Sequence, residues 1–162
     1  MKRYDMPKFS IDQTDMRILQ TLQTDAALSN VALAQSVGLS PSPCLRRVRA
    51  LEAAGVIRGR AAIIDAAAVG LPVSVFLQVT LERQIEANLE AFEAAVTNAP
   101  EVMECYLMTG DADYLLRVVA PDLDAFHRFL MERLTNLPSV ANIKSSFALK
   151  QIKYGYSLPI DV

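Results

Sequence analysis

Leu28-Ser29-Asn30-Val31-Ala32-Leu33-Ala34-Gln35-Ser36-Val37-Gly38-Leu39-Ser40-Pro41-Ser42-Pro43-Cys44-Leu45-Arg46-Arg47-Val48-Arg49 is the stretch from which the N-terminal half can be read. Ser29 offers a side-chain oxygen to the free amides that open a short helix, whose apolar positions are Val31, Leu33, Ala34 and Val37. Gly38 supplies the left-handed residue that ends it. Ser40 caps the next helix. Pro41 is its first residue, where a missing N–H costs nothing, and Gly55 closes it after Glu52-Ala53-Ala54. At about 100° per residue, Cys44, Leu45, Val48 and Leu51 cluster on one side of this helix. Ser42, Arg46 and Arg49 project from the other, with Arg47 on the flank.

Upstream, Asp12 stands three residues before Asp15 and just ahead of Met16, Ile18, Leu19 and Leu22, so it predicts the N-cap of a first helix ending near Thr24 or Asp25. Three helices with a glycine-bearing turn between the second and third make a helix-turn-helix, in which the third helix enters the DNA major groove by its N-terminal end. Ser40, Ser42 and the helix N-terminus then suit phosphate, and Arg46 or Arg49 suits a bidentate contact to guanine. The competing reading makes Arg46, Arg47 and Arg49 a solvated charged face. Against it, the helix carries one acid, Glu52, and Arg58 and Arg60 add positive charge just beyond.

The net charge of −2 hides an asymmetry. Residues 1–60 hold nine Lys/Arg against five Asp/Glu, a net of +4, and residues 61–162 hold seven against thirteen, a net of −6. A basic head on an acidic body fits a polyanionic partner for the head alone, because screening keeps phosphate attraction local. The 162 residues suffice for two modest domains, and a 52% hydrophobic content predicts apolar surface shared between subunits. No apolar run is long enough to cross a bilayer, so no membrane partner and a cytoplasmic location are expected. Cys44 and Cys105 are expected to be free thiols, with no metal site or cofactor. His127 is the only histidine, and no Ser/His/Asp or Cys/His set, phosphate loop or metal-spaced cluster accompanies it, so an enzyme is not expected.

From Val56 to Ile64 the sequence reads as a short extended wing, and from Asp65 to Pro72, with Gly70 and Pro72 as breakers, as a hinge. Beyond it the pattern predicts strand Val73–Leu81, helix Ile85–Asn98, strands Val102–Met108 and Tyr114–Ala120, a helix capped by Asp122 and running to about Leu134, and strand Val140–Lys150. That order is βαββαβ, the ferredoxin-like α+β plan with two helices on one face of an antiparallel sheet. Apolar residues along Val73, Val75, Leu77, Val79 and Leu81, and in Leu115-Leu116 and Val118-Val119, are read as lying on both faces. The uncovered face is therefore expected to pack against a second subunit. An RNA-binding sheet is the rival, but such sheets use exposed aromatics in a basic setting, whereas this half is acidic and its strands are aliphatic.

The strings Ile11-Asp12-Gln13-Thr14-Asp15-Met16-Arg17-Ile18-Leu19, Leu28 to Ala34 and Val37 to Val48, with Ser40-Pro41-Ser42-Pro43-Cys44 opening the third helix, closely resemble the winged-helix head of the Lrp/AsnC (feast/famine) family. The C-terminal order resembles the family's regulatory domain, and Gly110-Asp111-Ala112-Asp113-Tyr114-Leu115-Leu116 its sensor hairpin. The resemblance spans about Ile11 to Pro159. It implies a winged helix-turn-helix at 11–64, a hinge at 65–72, and an effector-binding and oligomerisation domain at 73–159. It also implies dimers that build tetramers or octamers, and a small amino acid bound where dimers meet. Cys44 becomes a family position, best read as a packed small residue rather than a reactive thiol.

The DNA-contacting set implied is Ser29, Asn30, Ser40, Ser42, Pro43, Arg46, Arg47, Arg49, Arg58 and Arg60, directed at pseudo-palindromic duplex sites. A zwitterionic amino acid needs an acceptor for its ammonium, donors for its carboxylate and an apolar slot. Asp111 and Asp113 suit the first. Amides around Gly110 with the hydroxyls of Thr109, Ser145 or Ser146 suit the second, and Leu107, Met108, Tyr114 and Phe147 the third. Asp and Gly also favour turns for their own sake. The tail from Ser145 to Tyr154 followed by Ser157-Leu158-Pro159 resembles that of regulators of amino-acid metabolism. It points to leucine or methionine as effector, cysteine next, with proline or another amino acid open. The resemblance further implies a bacterial, nucleoid-associated protein, with a ligand-independent architectural DNA binder as the alternative.

Overall fold

The computed structural model describes residues 10–137 and 139–160. They fall into two compact units, one formed by the chain to Ala62 together with the segment from Lys153, the other by Ile63–Ile152. The second boundary departs from the expected end of the C-terminal domain at 159.

The first unit is built on three helices, α1 (Gln13–Thr24), α2 (Asn30–Ser36) and α3 (Pro41–Ala53). Asp12 caps α1 in a reciprocal box, its carboxylate accepting from the Asp15 amide at 2.8 Å while the Asp15 carboxylate accepts from the Asp12 amide at 3.2 Å. Ser29 Oγ accepts from the Ala32 amide at the start of α2. Gly38 turns the chain at φ 72°, a conformation that a Cβ would strain, so α2 and α3 can be joined by a tight link. Ile18, Leu22, Leu33, Ala34, Val37, Cys44, Val48 and Leu51 form the core. After α3, the Val56 and Ile57 amides both bond to the Leu51 carbonyl, at 3.0 and 3.2 Å, and their side chains pack on this core. The expected extended wing at 56–64 forms no strand, because a strand needs a pairing edge and this unit is otherwise helical.

Residues 65–70 make a turn in which Asp65 Oδ1 accepts from the Ala67 amide at 2.9 Å. The second unit follows: β1 (Val73–Leu81), α4 (Glu86–Thr97), β2 (Val102–Leu107), β3 (Tyr114–Ala120), α5 (Leu123–Phe129) continued by a π-helical turn at Leu130–Leu134, and β4 (Val140–Phe147). All strand pairs are antiparallel, in the order β2-β3-β1-β4. This is the ferredoxin-like arrangement anticipated from the element order. Val75, Leu77, Val79 and Leu81 share the face of β1 that packs with Leu116, Val118, Phe92, Val96, Phe126 and Phe129.

The register corrects the expected facing of the strands. Residues of one strand alternate, so the five aliphatics of β1, Val73 included, lie on the helix-covered side alone. The open face carries Phe76 opposite Arg117, Gln78 opposite Leu115, Ser74 opposite Val119, and Ser146 and Lys144 of β4. It is a mixed apolar and charged surface.

Candidate functional site

On α3 the exposed face holds Ser42, Arg46 and Arg49, and the opposite face buries Cys44, Val48 and Leu51. Ser40 occupies the N-cap without a side-chain capping bond. Burial pushes the Cys44 thiol above its ordinary range, and at 0% exposure it packs as a small apolar residue. Leu45, expected on the buried face, is exposed.

The arginines do not share one role. Arg47 Nη1 donates to Asp12 Oδ2 at 2.7 Å and to Asp15 Oδ1 at 2.8 Å, tying α3 to the N-terminus of α1. The Asp15 amide, foremost, and the Arg47 guanidinium hold the Asp12 carboxyl below its ordinary range, and the two carboxylates raise Arg47. Arg47 is thus tied to the fold through Nη1. Arg60 Nη2 pairs loosely with Glu52 at 3.3 Å. Asn30 Nδ2 donates to the Pro41 carbonyl at 2.8 Å, bracing the α2–α3 turn, and Ser29 is engaged in its cap. Of the sequence-selected set, the surface brought together on α3 is Ser42, Arg46 and Arg49, with Ser40 and the half-buried Pro43 at its N-terminal edge; Arg58 is exposed after the helix.

The second candidate region is the β2–β3 hairpin. Leu107, Met108, Thr109, Gly110 and Asp111 are all exposed, and the loop is closed by the Met108 amide donating to the Asp113 carbonyl at 2.8 Å. Gly110 adopts φ 121°, where only glycine is at ease. Asp113 is 6% exposed and its carboxylate accepts from the Leu81 amide at 2.7 Å and from Gln84 Nε2. Its oxygens anchor the end of β1, so they are not open to a ligand. Tyr114 is likewise a core residue, its ring 4.5 Å from that of Phe92 and its hydroxyl donating to Glu93 at 3.0 Å; burial raises its phenol further. Asp111 is the exposed carboxylate at the tip.

Ser145, Ser146 and Phe147 do not join this hairpin. They lie on β4, at the opposite edge of the sheet, because β3 and β1 intervene. Phe147 stacks edge-on to Phe126 at 5.5 Å, and Ser146 looks out on the open face beside Phe76. On that face Arg117 Nε pairs with Glu104 at 2.7 Å, which lowers the Glu104 carboxyl, and Tyr106 Oη donates to the same carboxylate at 3.0 Å.

One feature had no advance signal in the sequence. The C-terminal segment is pinned to α1: Gln23 Oε1 accepts from the Leu158 amide at 2.6 Å, Gln23 Nε2 donates to the Leu158 carbonyl at 3.2 Å, and Gln20 Nε2 donates to the Ile160 carbonyl at 2.6 Å. Leu158 and Ile160 border an apolar hollow that Met16, Leu19, Leu22, Val56 and Ile57 also line. Glutamines on a helix surface look solvated until their distant partners are known. Among the described residues no cluster of His, Cys, Asp and Glu could hold a metal ion, and no helix is long and apolar enough to cross a membrane.

Residues 11–58 match the winged helix-turn-helix DNA-binding family, and residues 74–158 match the Lrp/AsnC ligand binding domain. The Bkd operon transcriptional regulator of Pseudomonas aeruginosa is 47% identical over 150 residues, 93% of this chain and 98% of that protein. The leucine-responsive regulatory protein of Rhizobium meliloti is 42% identical over 146 residues, covering 90% of this chain and 94% of its own. Among solved structures, a transcriptional regulator from Neisseria meningitidis in complex with L-methionine superposes with a TM-score of 0.86 at 43% identity, over 93% of this chain and 97% of that one. An AsnC family transcriptional regulator from Agrobacterium tumefaciens gives 0.84 at 41%, over 91% and 96%. With a DNA-binding head, a ligand-binding domain of this kind and no enzyme among these relatives, the chain belongs to the Lrp/AsnC family of transcriptional regulators.

Proposed function

We propose that this protein regulates genes of amino-acid metabolism, binding pseudo-palindromic duplex sites through paired heads and responding to a small amino acid at the Gly110 hairpin. The observation that carries the DNA half is the division of α3, whose core-facing side is apolar while Ser42, Arg46 and Arg49 stand together on the outward side. Ser40, Ser42 and the α3 N-terminus meet phosphates, Arg46 and Arg49 read base edges, and Arg58 adds charge nearby. Ser29, Asn30 and Arg47 support this surface from behind. Such a protein works on the bacterial nucleoid in the cytoplasm.

For the effector, Asp111 receives the ammonium group, the Gly110 amides and Thr109 receive the carboxylate, and Leu107 and Met108 offer the apolar contact. Ser145, Ser146 and Phe147 contribute only if a second protomer brings its β4 edge to this hairpin. The site is thereby one that assembly completes. Methionine and leucine are the first choices, supported by the methionine complex of the Neisseria relative and the name of the Rhizobium one; cysteine follows. The open face of the sheet, with Phe76, Leu115 and Val119, is the surface for a dimer, from which tetramers or octamers grow.

The test is a thermal-shift screen of the full chain against every proteinogenic amino acid, with Asp111→Ala alongside. One side-chain class raising the melting temperature of the wild type, and failing to do so in the variant, is the expected result. A wild type that no amino acid stabilises would mark an architectural, ligand-independent member of the family.

A further inference from the structure

Cys44, Val48 and Leu51 of α3 are 0%, 5% and 0% exposed, whereas Leu45 is 37% exposed. At about 100° per residue, Leu45 shares an arc of roughly 100° with Arg49, Ser42 and Arg46. Its side chain therefore stands on the proposed DNA face rather than in the core. It lies in the N-terminal half of the helix, the part that reaches base edges in this class of head. Val31, 53% exposed, is also an outward large aliphatic, but it belongs to α2.

Beside its donors and acceptors the major groove displays one apolar element, the C5-methyl group of thymine. A leucine pressed there gains from burying that methyl. Pressed against cytosine or guanine, it strips water from a polar edge and returns no hydrogen bond. Arginine and leucine on one face are complementary readers, the first selecting acceptor-rich edges and the second rejecting polar ones.

We propose that Leu45 is a specificity-determining residue that reads a thymine through its methyl group. The inference rests on the DNA-face assignment above and adds a base to it. Four residues of helix separate Leu45 from Arg49, about 6 Å of rise, against about 3.4 Å per base-pair step, so the thymine lies within about two base pairs of the base that Arg49 contacts. The half-site thus pairs a base chosen by a hydrogen-bonding arginine with a neighbour chosen by exclusion of polarity.

The experiment uses the full chain and a duplex that the wild type selects from a random pool. Each thymine is replaced in turn by deoxyuridine, which removes the methyl and nothing else. For the wild type, affinity is expected to fall about four-fold at one position per half-site, the worth of one buried methyl group. Leu45→Ala should be indifferent at that position and retain the wild-type melting temperature, because the side chain it loses is outside the core. Leu45→Arg should shift the preferred base there towards guanine. A wild type indifferent to every replacement overturns the proposal, as does a Leu45→Ala protein with the same sensitive position. A Leu45→Ala protein that melts earlier and loses affinity equally for all duplexes also overturns it, since Leu45 would then be a packing residue. Failure of the underlying face is separately visible, because a combined Arg46→Ala and Arg49→Ala variant would then keep wild-type affinity for the same duplex.

Discussion

The recognition helix and the β2–β3 hairpin each carry two like-charged residues close together, Arg46 and Arg47 in one and Asp111 and Asp113 in the other, and in each the pair divides. Arg46 is exposed while Arg47 is held by Asp12 and Asp15; Asp111 is exposed while Asp113 is closed around the Leu81 amide and Gln84. Neither division follows from residue type or local spacing. Both are decided by partners about thirty residues away, which commit one member to the fold and leave the other exposed. The regions differ in what the committed member does: Arg47 joins two helices through charge, whereas Asp113 satisfies a backbone donor at a strand end.

The largest effect is expected at the exposed arginines of α3. Replacing Arg46 and Arg49 together by Ala should lower affinity for a selected duplex by about 100-fold or more, each bidentate contact being worth about 1–3 kcal/mol, with the melting temperature unchanged. Filter binding or fluorescence anisotropy at fixed salt reads the first, calorimetry the second. In the hairpin the fold-committed residue carries the larger stability effect. Asp113→Ala leaves a buried amide without an acceptor and should destabilise the α+β unit by about 2 kcal/mol in urea titration, whereas Asp111→Ala should leave stability within error. A smaller effect is expected from Gln23→Ala, which removes two bonds to the Leu158 backbone. About 1 kcal/mol, with faster hydrogen exchange along α1 and none in the sheet, would show that the C-terminal segment belongs to the head.

The smallest effect is with pH. The Asp12 and Glu104 carboxyls are both lowered in the folded protein, Asp12 chiefly by the Asp15 amide and Glu104 chiefly by Arg117. A depressed folded pKa stabilises above the unfolded value and is lost as pH falls through the folded one. Stability from these groups should therefore be flat from pH 7 to about 5 and decline only below about pH 4. In acid unfolding followed by α1 amides, Arg47→Ala should move the onset upward in the head alone.

Most of the head was legible because its signals are local. Asp12 and Ser29 mark helix starts by capping chemistry, Ser40 and Pro41 mark the third start by position alone, and Gly38 and Gly55 mark the ends at φ 72°. The ferredoxin-like order was equally legible from alternating element types. What escaped was what the tertiary partners decide. Leu45 fits the apolar arc by helix geometry, yet the core closes over Cys44, Val48 and Leu51 without it. Asp113 reads as a ligand's acceptor and Tyr114 as part of its apolar slot, but β3 is a central strand and draws both inward. Ser145–Phe147 were grouped with the hairpin although strand order places them at the far edge. The α1–tail bonds span about 135–140 residues in sequence, beyond any periodicity.

Whether tertiary position divides Arg47 from Arg46 is read on Arg47→Ala, by measuring its melting temperature and, at a temperature where it is fully folded, the salt dependence of its duplex affinity. The expected result is a melting temperature lowered by several degrees, because the Asp15 carboxylate, 4% exposed, loses its cation, and a salt slope equal to the wild type's. An unchanged melting temperature with a salt slope reduced by about one per head would instead make Arg47 a phosphate contact and not a residue of the fold.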